Sequence, residues 1–227
     1  MNRYALTYNA SEWSVLMSTV FKRVFRTDFN EPGFAVIDFG TASSSTELRK
    51  RMVDLKSTLD QQCQTEFKKK LNYQWLGRFD QQESTKYHLD NSTDQSFLML
   101  GYEPSKIKSK LFLADYSAFS AKRKIKHSTF FEKYNPIYQD NIDLLKDYIT
   151  HVTPFNEKSY KIVLINNSKT TGSNNTLGVL HMAEVPKPNL KENRVINSIM
   201  LNMVDLQDGL DQKHEAQNFI ETNLISK

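Results

Sequence analysis

The sequence predicts a mainly β domain with flanking helices, a sandwich or jelly roll, on three observations. From residue 72 onward the chain breaks into many short strand-like runs, turn-rich segments separate those runs, and two amphipathic helical patterns precede them. The bulk numbers suit one such domain. The chain has 227 residues, 39% of them hydrophobic, which is enough for one real core and too short for two full domains.

The elements follow in order. Residues 11–24 place Trp13, Leu16, Met17 and Val20 at helical spacing after Ser11, which can cap. Pro32 and Gly33 open a short buried strand over 33–39. Ser44 or Ser45 can cap a second helix, with Glu47 in its first turn and Leu48, Met52, Leu55, Leu59 and Cys63 along one stripe. The lysines at 68–70 suit its C-terminus, and its apolar stripe is placed to cover one face of a sheet. Strands are expected at 73–79, 85–90, 96–102, 110–116, 160–165, 177–182 and 194–201, with turns such as 103–106 and 166–176. Between 118 and 158 lies an insertion with helical character, including 140–149. The economical division is a single domain over 1–227. It has a helical buttress over about 11–70, a core over about 72–201 and a C-terminal tail over 202–227.

Composition narrows the chemistry. Cys63 is the single cysteine, so neither an intrachain disulfide framework nor a thiolate metal cluster is possible, and a metal site would draw on His, Asp or Glu. The net charge of +4 does not by itself point to nucleic acid. Met1 to Tyr4 lack the basic-then-apolar pattern of a secretory signal, and no apolar run approaches the roughly 20 residues of a membrane helix. A cytoplasmic setting is the expectation.

The segment Tyr87-His88-Leu89-Asp90 carries the first chemical signal. On a strand, residues i and i+2 share a face, so His88 and Asp90 project together while Leu89 turns away. His181 closes the apolar run 177–180, and Arg194 opens the strand 194–201. A histidine at the end of an apolar strand needs a partner for its second nitrogen. Two imidazoles and one carboxylate bind one face of an octahedral iron and leave three positions open, and the arginine fork suits a bidentate grip on a carboxylate.

His88-x-Asp90, distal His181 and Arg194, in this order and spacing, resemble the pattern of the Fe(II)/2-oxoglutarate-dependent dioxygenases. Residues 33–39 look like the strand that often opens their double-stranded β-helix, so the resemblance spans most of 33–201 through four specific residues. It implies a jelly-roll core, a catalytic and metal-binding triad of His88, Asp90 and His181, and Fe(II), 2-oxoglutarate and O2 as cofactor and cosubstrates. Arg194 would hold the distal carboxylate of 2-oxoglutarate. Many members place Ser or Thr two residues after that arginine. Here Ile196 stands there, and Ser198, on the same strand face, is the candidate substitute. Related halogenases replace the carboxylate ligand with a small residue. Asp90 is present, so hydroxylation or a related C–H oxidation is expected. The expected substrate is a small molecule such as an amino acid or natural-product intermediate. The alternatives are a peptide or protein side-chain hydroxylase, a cupin-type metal protein that does not use 2-oxoglutarate, and a non-catalytic module that keeps a structural metal.

The remaining candidates have plainer readings. His127 sits in a basic stretch and is expected to be solvated, His151 follows a helix, and His214 lies in a polar tail. Cys63 reads as a packed small residue, and Arg78 as a side chain able to reach the pocket. Segment 105–133 carries eight Lys or Arg against Asp115 and Glu132, in a chain whose total charge is +4. It reads first as a solvated insertion, and second as a cationic rim attracting an acidic or phosphorylated substrate. Tyr116, Phe119, Phe130 and Phe131 are interleaved there without a nucleic-acid-binding motif. Loop 166–176 reads as a flap near the distal ligand or as a long hairpin connection.

Overall fold

The computed structural model describes residues 4–136, 141–152, 158–170 and 176–226. The chain opens with β1 (Ala5–Thr7), α1 (Trp13–Val24), β2 (Phe34–Asp38) and α2 (Ser45–Glu66). It continues through β3 (Lys69–Asp80), β4 (Ser96–Tyr102), β5 (Lys110–Ala114), α3 (Tyr116–Lys122) and α4 (His127–Tyr134). It closes with β6 (Ile149–Val152), β7 (Lys161–Asn166), β8 (Leu180–Glu184), β9 (Val195–Asp205) and α5 (Lys213–Glu221). Six strands form one sheet in the order β1-β2-β7-β4-β9-β3, and three form another in the order β6-β5-β8. Every pairing is antiparallel except β1 with β2. The architecture is therefore mixed α/β with two sheets.

The alternation of apolar residues sets the layers. In β4, Phe97 and Met99 join the core under the helices, while Leu98, Leu100 and Tyr102 face the cluster containing Leu111 and Leu113 of β5. β7 splits in the same way: Ile162 and Leu164 face outward, Val163 and Ile165 inward. With both faces covered, it reads as a continuous apolar run. The outer core is closed by Leu16, Met17 and Val20 of α1 and by Met52, Leu55, Leu59 and Cys63 of α2. Contact is close at Gly101, where a Cβ would lie 2.5 Å from Met52 Sδ. A third cluster, with Tyr116, Phe119 and Phe130, packs the insertion against the far side of β8.

Several expected elements change at their edges. Ser44 caps α2 by accepting from Glu47 N at 3.1 Å. The helix ends at Glu66, Lys68 turns with φ 56°, and Lys69 and Lys70 already belong to β3. Residues 85–90 form a bridge between His88 and His181 and not a full strand. Of the helical stretch expected over 140–149, residue 140 lies outside the described residues, Asn141–Tyr148 is a 3-10 segment, and it ends where Ile149–Val152 pairs with β5. The C-terminal segment is no loose tail. Ala216 and Phe219 of α5 are buried in the outer core, Gln212 brackets the backbone of Tyr73 (Tyr73 N to Oε1 2.7 Å, Nε2 to Tyr73 O 2.9 Å), and Ser226 bridges to Phe79. Arg78 faces this outer layer, where it donates to Asn197 Oδ1 and to Glu103 Oε1, both at 3.1 Å. It does not point between the sheets. No helix among the described residues is long and apolar enough to cross a membrane.

Candidate metal centre

β8 is held on one edge by β5, with Leu113 opposite His181. On its other edge His88 and His181 exchange both backbone hydrogen bonds, each 3.0 Å, and Thr85 N donates to Ala183 O at 2.9 Å. Two opposed residues on adjacent strands bring their side chains to one face, and the imidazole centroids lie 4.2 Å apart. Alternation sends Leu180, Met182, Tyr87 and Leu89 to the insertion side, while Val179 joins the cluster between the sheets. Asp90 follows His88 by two residues on the same side. His88 Nε2 lies 3.0 Å from Asp90 Oδ1, and His181 Nε2 lies 3.5 Å from Asp90 Oδ2.

One potential ligand atom from each of His88, Asp90 and His181 falls within 4.8 Å of the others, so the cluster can bind a metal ion. Cis ligands at about 2.1 Å from an octahedral ion sit about 3.0 Å apart, close to the separations found here. The proton arrangement fits as well. His88 Nδ1 meets Lys86 O at 2.7 Å, which places a proton on Nδ1 and makes Nε2 the nitrogen that faces the centre. His181 is buried and its Nδ1 has no partner among the described residues, so its charged form is poorly supported.

The electrostatics run the same way. Burial pushes the Asp90 carboxyl up, but hydrogen bonds from His181 and His88 and their charges outweigh it, holding it well below the usual carboxylate range. Burial lowers the pKa of His181, only partly offset by Asp90. At more exposed His88, the opposing contributions of Asp90 outweigh burial and raise the pKa. The result is an ionised carboxylate with at least one neutral imidazole beside it.

Asp90 is fixed from behind by a residue without a local sequence signal. Buried Asn167 accepts from Asp90 N at 3.0 Å and donates to Asp90 O at 2.7 Å, a two-point clamp on the backbone of Asp90. Its own amide also reaches Ser96 Oγ at 3.3 Å. Asn167 falls within loop 166–176, expected as a flap or a long hairpin connection. The described part, Asn166 to Thr170 and Thr176, is buried except at Lys169, and 171–175 lie outside the described residues.

Arg194 is buried just ahead of β9. It donates to Gln81 O at 2.6 Å and Ser109 Oγ at 2.9 Å, and its guanidinium carbon lies 5.5 Å from the centre of the Tyr102 ring. Burial lowers its pKa, opposed by Tyr102 and Asp80. Tyr102 connects it with the triad: burial raises the phenol's pKa, Arg194 opposes, and the Asp90 charge adds to the rise. Strand parity already put Tyr102 on the inner face of β4, a signal that could have nominated it. Ser198 lies on the inner face of β9 between Ile196 and Met200, but its hydroxyl accepts from Trp75 Nε1 at 3.3 Å.

Of the triad, His88 lines a cleft of 560 Å³, together with Leu89, Gln74, Ser92, Phe131 and Lys169 among others. A second cleft of 440 Å³ contains none of the triad, and its Arg26 is already paired with Asp115 at 2.7 Å. The other histidines stay outside the centre. His127 is not solvated as expected, since its Nε2 is buried without a partner beside Tyr116. His151 stacks on Phe112, and His214 meets Asn218. Burial drives the Cys63 thiol far up, consistent with a packed residue. In the basic segment, Lys106 pairs with Glu192 and Lys110 with Glu184. Comparison of the sequence with protein-family models finds no match, and comparison with curated proteins finds none either.

Proposed function

We propose that this chain is an Fe(II)- and 2-oxoglutarate-dependent oxygenase that oxidises a C–H bond of a small molecule. The observation that carries this reading is the convergence of His88, Asp90 and His181 within 4.8 Å, with His88 also lining an open cleft. The donor set of two imidazoles and one carboxylate suits iron with free coordination positions, whereas a purely structural ion is ordinarily enclosed by four protein ligands.

Strand order supports a double-stranded β-helix. Counting the bridged His88 segment, the layers run β3-β9-β4-β7 and His88 segment-β8-β5-β6. The chain crosses from one layer to the other at every connection from β3 to β9 except β5 to β6.

When bound, iron(II) with 2-oxoglutarate and dioxygen supplies the oxidising power, giving succinate, CO2 and, in a hydroxylation, a substrate alcohol. The chain's own residues perform the rest. Lys86 O fixes the His88 tautomer, and Asn167 fixes the backbone of Asp90. Arg194 supplies a buried, oriented cation for the distal carboxylate, with Tyr102 beside it. Ser198 is the further carboxylate-binding candidate through its place on the inner face. To serve, its hydroxyl would have to be shared with Trp75. Leu98, Leu111, Leu113 and Val179 form apolar walls that limit water between the sheets.

Anaerobic addition of Fe(II) and 2-oxoglutarate is expected to give the weak visible charge-transfer band of the chelate, and aerobic incubation slow succinate release. Metal binding without either signal would refute the oxygenase reading. His181→Ala is expected to remove both, and an unchanged band would take that residue out of the centre.

A further inference from the structure

We infer that the substrate of this centre carries an anionic group, a carboxylate or a phosphate, received by Lys169 at the mouth of the His88 cleft. The inference rests on the oxygenase reading and adds a substrate class to it. An exposed lysine is ordinarily a solvated surface charge, and three observations set this one apart.

The first is its surroundings. Lys169 lines the same cleft as the ligand His88, and no Asp or Glu is among the described lining residues. Its ammonium has no partner among the described residues, whereas Lys106 and Lys110 are each paired with a glutamate. The neighbouring lining residues are Gln74, Asn91 and Ser92, which offer neutral donors, and Leu89 and Phe131, which offer apolar surface. That composition suits an anionic head on a partly apolar body, and 560 Å³ suits a small molecule.

The second is rigidity. Lys169 is exposed on a backbone whose neighbours Ser168 and Thr170 are buried. Lys169 N donates to Thr93 O at 3.0 Å, Ser168 Oγ to Ser96 O at 3.2 Å, and Thr170 Oγ1 to Thr176 O at 2.7 Å. Two residues earlier on the same strut, Asn167 clamps Asp90. The base of the cation is thus held in fixed relation to a metal ligand. Such pre-organisation lowers the ordering cost of binding.

The third is backbone strain. Asn91, immediately after the ligand Asp90, has φ 33°, and Thr170, immediately after Lys169, has φ 53°. Left-handed backbone at non-glycine residues costs energy and persists where surrounding contacts enforce it, often at functional sites. The exposed Lys122, Arg123, Lys124 and Lys126 of the adjoining insertion add a long-range attraction for anions.

The test uses the isotope-labelled full chain with Zn(II) and saturating 2-oxoglutarate, titrated with phenylacetate, phenyl phosphate, phenethyl alcohol and phenethylamine. Phenylacetate, phenyl phosphate or both are expected to shift the backbone amides of Asn91, Ser92 and Lys169, and the difference between them identifies the preferred anion. The alcohol and the amine are expected to leave these amides in place. Lys169→Gln is expected to weaken anion binding about tenfold while Lys169→Arg retains it, with Zn(II) affinity unchanged in both. Equal binding to Lys169→Gln, equal binding of the alcohol or amine, or no binding of either anion would overturn the inference. The charge-transfer band of the iron form reports separately on the oxygenase reading, so the two can fail independently.

Discussion

At the scale of single residues, the candidate centre depends on groups outside the triad itself. Asn167 holds Asp90 by both its N–H and its carbonyl, so Asn167→Ala leaves the ligand present but its backbone loose. The expected result is metal affinity lowered about 10- to 100-fold, measured by Zn(II) or Co(II) titration against a competing chelator. An unchanged affinity would reduce Asn167 to packing. Arg194→Ala is expected to raise the 2-oxoglutarate concentration that half-saturates the charge-transfer band while leaving metal affinity near wild type. The expectation that His88, Asp90 and His181 converge came from the resemblance. In the sequence itself, His88 and Asp90 were legible as a pair through strand parity and His181 through the apolar run it closes, both local patterns. Asn167 was not: its contact with Asp90 spans 77 residues, and a polar residue in a Ser- and Asn-rich stretch looks like any loop residue. Ser198 was placed on the right face, but its partner, Trp75, comes from a different strand.

At the scale of elements, the strut leading into β8 is the sensitive part. A Cβ on Gly178 would lie 2.1 Å from the backbone oxygen of Ser168, and backbone cannot swing away as a side-chain tip can. Gly178→Ala is therefore expected to cost about 3 kcal/mol in chemical denaturation and to weaken metal binding by displacing the Asn167 clamp. Wild-type stability in that variant would show the strut to be pliable. Most strands were legible because each carries its own alternation, and β4 keeps the predicted bounds, Ser96–Tyr102. The misses have physical reasons. Ala5–Thr7 and Ile149–Val152 are too short to show a period, and each exists because a longer neighbour offers an edge. Residues 85–90 have strand composition, yet their described backbone pairing with β8 is the His88–His181 bridge and the bond from Thr85 N to Ala183 O, and Asp90 is held instead by Asn167.

At the scale of the whole molecule, the two layers, the helices outside them and the C-terminal segment act together. The sequence pattern conveyed a mainly β domain with helices. It did not convey that residues 206–226 complete the buttress, because α5 is short and its core contribution is limited to Ala216 and Phe219. Removal of residues 209–227 is expected to lower the melting temperature and to produce higher oligomers on gel filtration, since β3 from Tyr73 to Asp80 would lose its cover and become an open sheet edge. A monomeric truncated chain of unchanged stability would contradict this. The bracketing of β3 has a further consequence for proton traffic. Leu71 N donates to Asp60, Tyr73 N to Gln212 and Asp80 N to Ser226 O, at 2.6, 2.7 and 2.8 Å. In deuterated water these edge amides should therefore exchange at the pace of interior strands. The decay curves of Tyr73 and Asp80 would reveal when the C-terminal segment lifts away, well before the sheets themselves open, with Leu71, held by α2, as the internal reference.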